Sequence, residues 1–172
     1  GIKELLNEFL RFSRMPTPNP RPTSLHKIID EILISYSEHD KNLKIKKNFD
    51  PNLGAVHIDP EQIRRVFINL FENATDAIDD GGVIQISTRV LQKEKLVRIE
   101  FSDDGTGISL ADREKLFLPH FTTKKRGTGL GLAIVNRIII DHNGSIQVRD
   151  NHPKGTVFVM DLPYSPLALE TE

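Results

Sequence analysis

Two glycine clusters, separated by a polar loop, constrain this chain more than any other feature of its sequence. The first, at residues 103–107 (DDGTG), follows a segment in which Val97, Ile99 and Phe101 alternate with other residues and therefore share one face of a predicted strand. Asp103 comes next on that same face. Its carboxylate is expected to point into a core or pocket, where it needs hydrogen-bond donors to offset the cost of burial.

The second cluster, at residues 127–131 (GTGLG), runs directly into the apolar segment 130–140. Glycines let a backbone approach a ligand closely, and the first N–H groups of a helix favour phosphate. The spacing is not that of a Walker A loop, because no Gly-Lys-Ser/Thr follows. It is not a dinucleotide-binding fingerprint either, because no strand directly precedes Gly127. Taken alone, either cluster is also typical of an ordinary turn or a flexible loop.

A predicted helix that begins after Asp59 supplies a third motif, since Asp59 can cap it and Pro60 suits its first position. At ~100° per residue its apolar side chains fall within roughly 140° of arc. This core-facing stripe consists of Ile63, Val66, Phe67, Leu70, Phe71, Ala74 and Ala77. Asn69, Asn73 and Asp76 follow one border of the stripe. Polar side chains there can line a cleft, although a plain polar edge of an amphipathic helix has the same pattern.

Length and composition exclude several classes of protein. The 172 residues suffice for one domain with a core and a short appendage, and the net charge of −1 indicates no bulk electrostatic binding to nucleic acid or membrane. The absence of cysteine excludes disulfides and thiol catalysis. No apolar run reaches the ~18 residues of a membrane span.

The N-terminal part divides into a helix and a connector. Residues 2–14 carry apolar side chains at helical spacing, and four alternate prolines then favour an extended connector near residues 15–23. Two interpretations of the helix remain open: it packs on its own domain, or it is half of an oligomerisation hairpin.

The rest of the chain alternates pairs of strands with helices. A short helix is predicted from Ser109 to Phe117, a mobile lid over residues 118–128, and a longer helix from about Gly129 to near His142. Hairpin-like strand pairs between helices predict an α+β domain. We expect an antiparallel or mixed sheet covered by helices on one face.

The motifs, in this order and spacing, resemble the ATP-binding domain of sensor histidine kinases. That domain belongs to the superfamily (GHKL, or Bergerat fold) that also contains type II topoisomerases, mismatch-repair ATPases and heat-shock chaperones. The resemblance covers about residues 25–163. Residues 69–73 resemble the N box of the family, and residues 103–107 and 127–131 resemble its first two glycine boxes. Residues 116–121 resemble the F box, and residues 155–156 resemble the last glycine box. The segment 9–16 (FLRFSRMP) resembles the junction in nitrogen-regulation sensor kinases of the NtrY and NtrB type.

The resemblance implies a Bergerat-type two-layer α/β sandwich, with a mixed, mostly antiparallel sheet covered by helices on one face. It also implies a domain organisation. Residues 1–15 would be the end of a dimerisation hairpin helix and 16–23 a Pro-rich linker. Residues 24–163 would form the ATP-binding catalytic domain, followed by a tail at 164–172.

The resemblance also implies a site for ATP and Mg²⁺. Asp103 would accept from the adenine amino group, and Thr156 would help to hold the adenine. Asn73 would bind Mg²⁺, and Asn69 would bind phosphate or a metal-bound water. Asn69 and Lys124 are the predicted catalytic residues. The other predicted nucleotide-binding residues are Asp76, Gly105, Gly107, Ile108, Phe117, Thr123, Lys124, Gly127, Thr128, Gly129, Leu130, Gly131 and Leu132.

The family's phosphoacceptor motif, His-Asp/Glu-x-x-x-Pro, has no match here; His39-Asp40 lacks the proline. The resemblance therefore implies a fragment that donates the γ-phosphate to a histidine on a dimerisation domain of the same parent protein. A response regulator is the expected further partner, nucleic acid is not a partner, and the parent is expected to be a homodimer. The fragment is expected to be cytoplasmic; an anchor of the parent in the inner membrane is left open.

Two other functions share this pocket. An ATP-driven conformational clamp of the chaperone or mismatch-repair kind uses a glutamate base at the position equivalent to Asn69, and an asparagine cannot take a proton from water. Glu72 is a rival base, but its angular position predicts exposure to solvent. A serine kinase acting on an anti-sigma partner lacks the dimerisation hairpin, and the Pro-rich junction after the first helix weighs against it.

Overall fold

A five-stranded mixed sheet forms one layer of the fold and helices form the other. The computed structural model describes residues 1–39, 42–122 and 129–166, except for the side chain of His39. In chain order the elements are α1 (Ile2–Ser13), β1 (Arg21–Thr23), α2 (Leu25–His39), β2 (Leu43–Asn48), β3 (Val56–Ile58), α3 (Pro60–Ala77), β4 (Gly82–Leu91), β5 (Leu96–Asp103), α4 (Leu110–Arg113), α5 (Gly131–Asp141), β6 (Ser145–Asp150) and β7 (Thr156–Pro163). None of these helices is both long enough and apolar enough to cross a membrane.

The strands of the main sheet lie in the order β2-β4-β5-β7-β6. β2 runs parallel to β4, and the other neighbours are antiparallel. Asp103, the last residue of β5, therefore lies between Ile84 at the start of β4 and Thr156 at the start of β7. This register brings the first glycine cluster, at residues 103–107, next to the last glycine box, at residues 155–156.

In the described part of the chain, one face of the sheet is packed against helices. Along β5 the residues Val97, Ile99, Phe101 and Asp103 are buried, and the residues between them are half-buried, as the alternation predicted. Phe71 of α3 meets the ring of Phe101 edge-on, with centroids 4.9 Å apart. The opposite face is polar and carries a bidentate ion pair between Arg98 and Asp161, with both N···O distances at 2.9 Å.

The start of α3 is fixed by its cap. The Asp59 carboxylate accepts from the backbone N–H of Glu61 and of Gln62, at 3.1 and 3.2 Å, and Pro60 occupies the first position. The other carboxylate oxygen accepts from the Asn19 N–H at 2.9 Å, so the cap also holds the connector. The Asp59 N–H donates in turn to Nε2 of His142, at the end of α5.

The N-terminal helix α1 touches the domain near its C-terminal end and leaves its start exposed. Ile2 is 86% exposed, whereas Met15, just after the helix, is buried in the core. The Arg137 guanidinium of α5 lies over the ring of Phe12, 5.3 Å from its centroid, and donates to the Phe12 carbonyl. Phe9 stacks on His120 with ring centroids 5.6 Å apart.

Local details differ from the sequence prediction. Residues 21–23 of the connector form β1, which pairs with β3; Pro22 is tolerated because this is an edge strand. The short helix ends at Arg113, and i→i+3 bonds continue as tight turns through Leu118. Tyr164, assigned to the tail, is buried, and its hydroxyl accepts from the Gly54 N–H at 2.9 Å.

Candidate functional site

Asp103 is the buried carboxylate of the site, with 4% of its surface exposed. One carboxylate oxygen accepts from the Gly105 N–H at 2.9 Å, and the N–H groups of Gly105 and Thr156 both act to lower the pKa of Asp103. Burial nevertheless raises the pKa of Asp103, and the neighbouring Asp104 raises it further. The carboxylate is thus under-solvated for its charge, and a further donor supplied by a ligand would stabilise it.

The last glycine box, at residues 155–156, packs directly against the backbone of Asp103. Gly155 has a φ of +107°, and a Cβ at this position would lie 2.0 Å from the Asp103 carbonyl oxygen, so only glycine fits. The Asn151 side chain donates to that same carbonyl at 2.8 Å. Thr156, the next residue after Gly155, is 5% exposed and opposite Asp103 in the sheet.

The first glycine cluster abuts the end of α3. A Cβ on Gly105 would lie 2.6 Å from the Ala77 carbonyl oxygen, and the Thr106 N–H donates to that oxygen at 3.1 Å. Gly107 has a φ of +79° and faces the Gly155 backbone. The next residue, Ile108, is half-buried against the core. The glycine turns therefore anchor the Asp103 region to the helix that carries the predicted N box.

Like Gln62 through its Oε1, Asn69 of α3 has unsatisfied hydrogen-bonding capacity. It is half-buried, and its Nδ2 is buried with no hydrogen-bond partner in the structure. An unpaired buried donor costs free energy, so this amide is suited to a ligand oxygen. Asn73 is half-buried one turn further on. Asp76 is exposed, so its predicted role in nucleotide binding has the least support from burial.

The N terminus of α5 faces Asn69. A Cβ on Gly131 would lie 3.9 Å from Oδ1 of Asn69. The preceding Leu130 is fully buried and provides no side-chain cap, and Leu132 is half-buried. The first turn of a helix presents N–H groups that favour an anion. The side chain of Asn69 and the start of α5 therefore form a second end of the site.

The two ends of the predicted lid are held against each other. The His120 N–H donates to the Gly129 carbonyl at 2.9 Å, and a Cβ on Gly129, whose φ is +72°, would lie 2.4 Å from the His120 backbone. This conformation explains why α5 starts at Gly131 and not at Gly129. Phe117 packs against the core, and Phe121 is half-buried.

Several predicted site residues lie outside the described part of the chain. They are Thr123, Lys124, Gly127 and Thr128, together with the lid cations Lys125 and Arg126. Among the residues that are described, no group of three or more His, Cys, Asp or Glu side chains could hold a metal ion.

One contributor to the site was missed at the sequence level. Asn151 begins the β6–β7 turn, and its side chain donates to the Asp103 carbonyl, 48 residues away. Its position directly after β6, in the sequence Asn151-His152-Pro153, is typical of a turn, and that was the only signal available. Nothing in that pattern indicates which carbonyl the side chain would meet.

Comparison with known proteins gives consistent matches. The family model described as "Histidine kinase-, DNA gyrase B-, and HSP90-like ATPase" matches residues 58–166, more than half of the chain. The sensor histidine kinase ZraS of Escherichia coli (strain K12) is 35% identical over 131 residues, which are 76% of this chain and 28% of ZraS. The sensory histidine kinase/phosphatase NtrB of Rhodobacter capsulatus is 31% identical over 183 residues, covering 98% of this chain and 50% of NtrB. The chain therefore spans 28% to 50% of the length of these relatives.

Solved structures match over most of the chain. The nucleotide-free catalytic domain of histidine kinase ThkA has a TM-score of 0.77 and 32% identity, and the match covers 84% of this chain and 95% of that domain. ThkA in complex with the response regulator protein TrrA has a TM-score of 0.80 and 28% identity, covering 96% of this chain and 48% of the ThkA chain. This likeness confirms the predicted two-layer fold.

Proposed function

Because this chain belongs to the family of histidine kinase-, DNA gyrase B- and HSP90-like ATPases, we propose that it is the catalytic part of a sensor histidine kinase that donates the γ-phosphate of ATP to a histidine of another domain. One observation carries the proposal. The carbonyl of Ala77 on α3 holds the glycine turn beside Asp103, and Asn69 on the same helix faces Gly131. Eight residues of helix separate the two ends by about 12 Å, so a single nucleotide can reach both.

The adenine is proposed to bind at the Asp103 end. The carboxylate is buried and ready to accept a hydrogen bond from the exocyclic amino group of adenine. The Thr156 hydroxyl lies on the neighbouring strand, directly opposite, where it can contact the base or a water molecule. Gly105 and Gly107 hold the turn close enough for backbone contact with the nucleotide.

The phosphates are proposed to bind at the Asn69 end. The unpaired Nδ2 of Asn69 and the first N–H groups of α5 offer donors to phosphate oxygens. The residues present fit Mg²⁺ as well, with Asn73 one turn from Asn69 on α3. A neutral amide is a weak ligand for a hard cation, so the triphosphate would supply most of the negative charge. Bound Mg²⁺ would neutralise charge that develops on the phosphates.

Transfer of the γ-phosphate needs an acceptor histidine that lies outside the chain segment that forms this site. In the proposed reaction an imidazole nitrogen of a histidine on the dimerisation domain attacks the γ-phosphorus. A P–N bond forms, the bond to the bridging β–γ oxygen breaks, and ADP leaves. A response regulator is the proposed next recipient, since ThkA was solved in complex with one.

The ATP-driven clamp is not favoured by the site. Asn69, which cannot act as a base, occupies the end that faces α5, and Glu72 is exposed. A water molecule bound at the phosphate end would therefore lack a general base among these α3 side chains. Binding of ATP without rapid hydrolysis follows from this arrangement.

The test uses radiolabelled ATP. The chain alone is expected to acquire no acid-labile label and to release phosphate slowly, and a separately purified dimerisation hairpin carrying the family histidine is expected to become labelled when added. Labelling is expected to be slow, because covalent linkage and its effective concentration are lost. A hairpin with its histidine replaced by glutamine is the control.

Two outcomes would contradict the proposal. Acid-labile label on the chain itself, abolished by His39→Ala, would make His39 the acceptor. Rapid phosphate release that is lost in Glu72→Ala would place the protein among the ATP-driven clamps.

A further inference from the structure

A cavity of about 570 Å³ lies at the junction of α1, the connector and α3, away from the nucleotide site. Asn7, Leu10 and Arg11 of α1, together with Arg14 at its C-cap, line it from one side. Their spacing of i, i+3, i+4 and i+7 places all four on one face of the helix. Arg65 of α3 lines it from the other side, so three arginines border the cavity. We call it the arginine cavity.

The charges of the arginine cavity are balanced only in part by the protein, through Glu8. Among the described residues, the side chains of Arg11, Arg14 and Arg65 form no hydrogen bond and no ion pair. The neighbouring Arg64 is different, because it pairs with Glu31 at 2.6 Å. Arg11 and Arg14 are exposed, whereas Arg65 is half-buried.

The guanidinium of Arg65 is held in an unfavourable environment. Burial lowers the pKa of Arg65, the charge of Arg11 lowers it further, and Glu8 offsets only part of this. Arg11 and Arg14 lie at the C-terminal end of α1, where the helix dipole stabilises cations. Arg65 lies in the second turn of α3, so no such effect stabilises it. Bringing these cations together is unfavourable unless an anion joins them.

We propose that the arginine cavity binds a small, multiply charged anion through phosphate or carboxylate oxygens, and thereby ties α1 to α3. Its volume falls within the ~300–1,000 Å³ typical of small-molecule sites. The planar fork of a guanidinium matches the geometry of both oxyanion groups. A small ligand is favoured over an acidic protein surface because the volume of the site matches a small molecule and arginines line it from two different helical segments.

The binding test is calorimetry on the full chain at low ionic strength, with pyrophosphate and citrate as separate probes. Each titration is done with and without saturating ADP, so that binding at the nucleotide site is separated from binding at the arginine cavity. At least one probe is expected to bind in the presence of ADP, and the stronger of the two identifies phosphate or carboxylate chemistry. Arg65→Gln and Arg14→Gln should each weaken that binding by about tenfold or more. The matched control is Arg89→Gln, an exposed arginine on β4, which should bind like the wild type.

Thermal unfolding provides a second readout that does not depend on nucleotide. Without anion, Arg65→Gln should melt at or above the wild-type temperature because a like-charge repulsion is removed. With the bound probe, only the wild type and Arg89→Gln should gain stability.

The proposal is overturned if neither probe binds in the presence of ADP, or if all three arginine variants lose binding equally. A lower melting temperature of both Arg65→Gln and Arg14→Gln without anion would also overturn it. The proposed kinase function would be unaffected by such results.

Discussion

Asp103 is a carboxylate whose burial costs the nucleotide-free protein folding free energy and leaves it suited to a ligand donor. It is buried at the end of β5, the Gly105 N–H donates to it, and burial still raises its pKa. Functional groups are often held in such environments because the ligand then completes the solvation that the protein leaves incomplete. Asn69, in the middle of α3, is the counterpart at the other end of the site, since its buried Nδ2 lacks an acceptor.

The change Asp103→Asn tests adenine recognition. An amide can still accept from Gly105, but it removes the charge and can present a donor to the adenine amino group. The loss of one charge-assisted hydrogen bond should cost roughly 1.5–3 kcal/mol, or about ten- to a hundred-fold in ATP affinity by calorimetry. Glu100→Gln, on the other face of the same strand, should bind normally. Unchanged affinity in Asp103→Asn would remove adenine recognition from this residue.

The change Asn73→Ala tests the metal role of the second amide. If Asn73 binds Mg²⁺ together with the triphosphate, the substitution should weaken ATP binding more in Mg²⁺ buffer than in EDTA. Calorimetry in the two buffers measures the difference, with the exposed Glu72→Ala on the same helix as the control. Equal losses in both buffers would indicate that Asn73 acts only in the structure of α3.

At the scale of elements, α3 connects every part of the site. Its N-terminal cap is joined to the connector through Asn19 and to α5 through His142. Its middle presents Asn69 to the start of α5, and its last carbonyls hold the first glycine turn. The same α5 is contacted by α1 through Arg137 and Phe12, so displacement of α1 would act on a helix that borders the site.

Replacement of the α3 cap should destabilise the whole domain. Asp59 accepts from Glu61, Gln62 and Asn19, so Asp59→Ala removes a cap and leaves backbone donors without an acceptor. The expected loss in free energy of unfolding is about 1–2 kcal/mol or more, measured by urea denaturation. Ser109→Ala, which removes the cap of the short and exposed α4, should cost less. Equal losses would mean that the contacts of Asp59 beyond α3 contribute nothing.

At the scale of the whole molecule, the two buried carboxylates give opposite pH dependences of stability. Burial raises the pKa of Asp103 above its ordinary 3.8, so its contribution is fully present below 3.8 and is lost as pH rises through the raised pKa. For Asp59, burial acts to raise the pKa, but the N–H groups of Asn19, Gln62 and Glu61 outweigh it and lower the pKa. The contribution of Asp59 is therefore present above 3.8 and is lost as pH falls through the lowered pKa.

The contribution of Asp103 can be isolated by difference. Urea denaturation of the nucleotide-free wild type and of Asp103→Asn, from about pH 7 down to about pH 4, should show the wild type gaining stability relative to the variant as pH falls. Titration of all other carboxylates is common to both proteins and cancels. Parallel pH profiles would show that Asp103 titrates normally in the folded protein.

Local patterns in the sequence determined much of this protein. A period of two places Asp103 on the buried face of β5, and a cap followed by proline starts α3 where it was predicted, because both depend only on neighbouring residues. The apolar stripe of α3 likewise identified its core face. The five motifs indicated the family, and the match over residues 58–166 confirmed it.

Tertiary structure alone decided how these parts meet. Three contacts join segments that lie far apart in the chain. Gly155 and Asn151 contact the backbone of Asp103, Gly131 approaches Asn69, and β1 pairs with β3. The same holds for the opposition of Arg65 to the arginines of α1. Such contacts depend on the packing of whole elements on a common core, and no local period or propensity encodes the distance between two side chains on different elements.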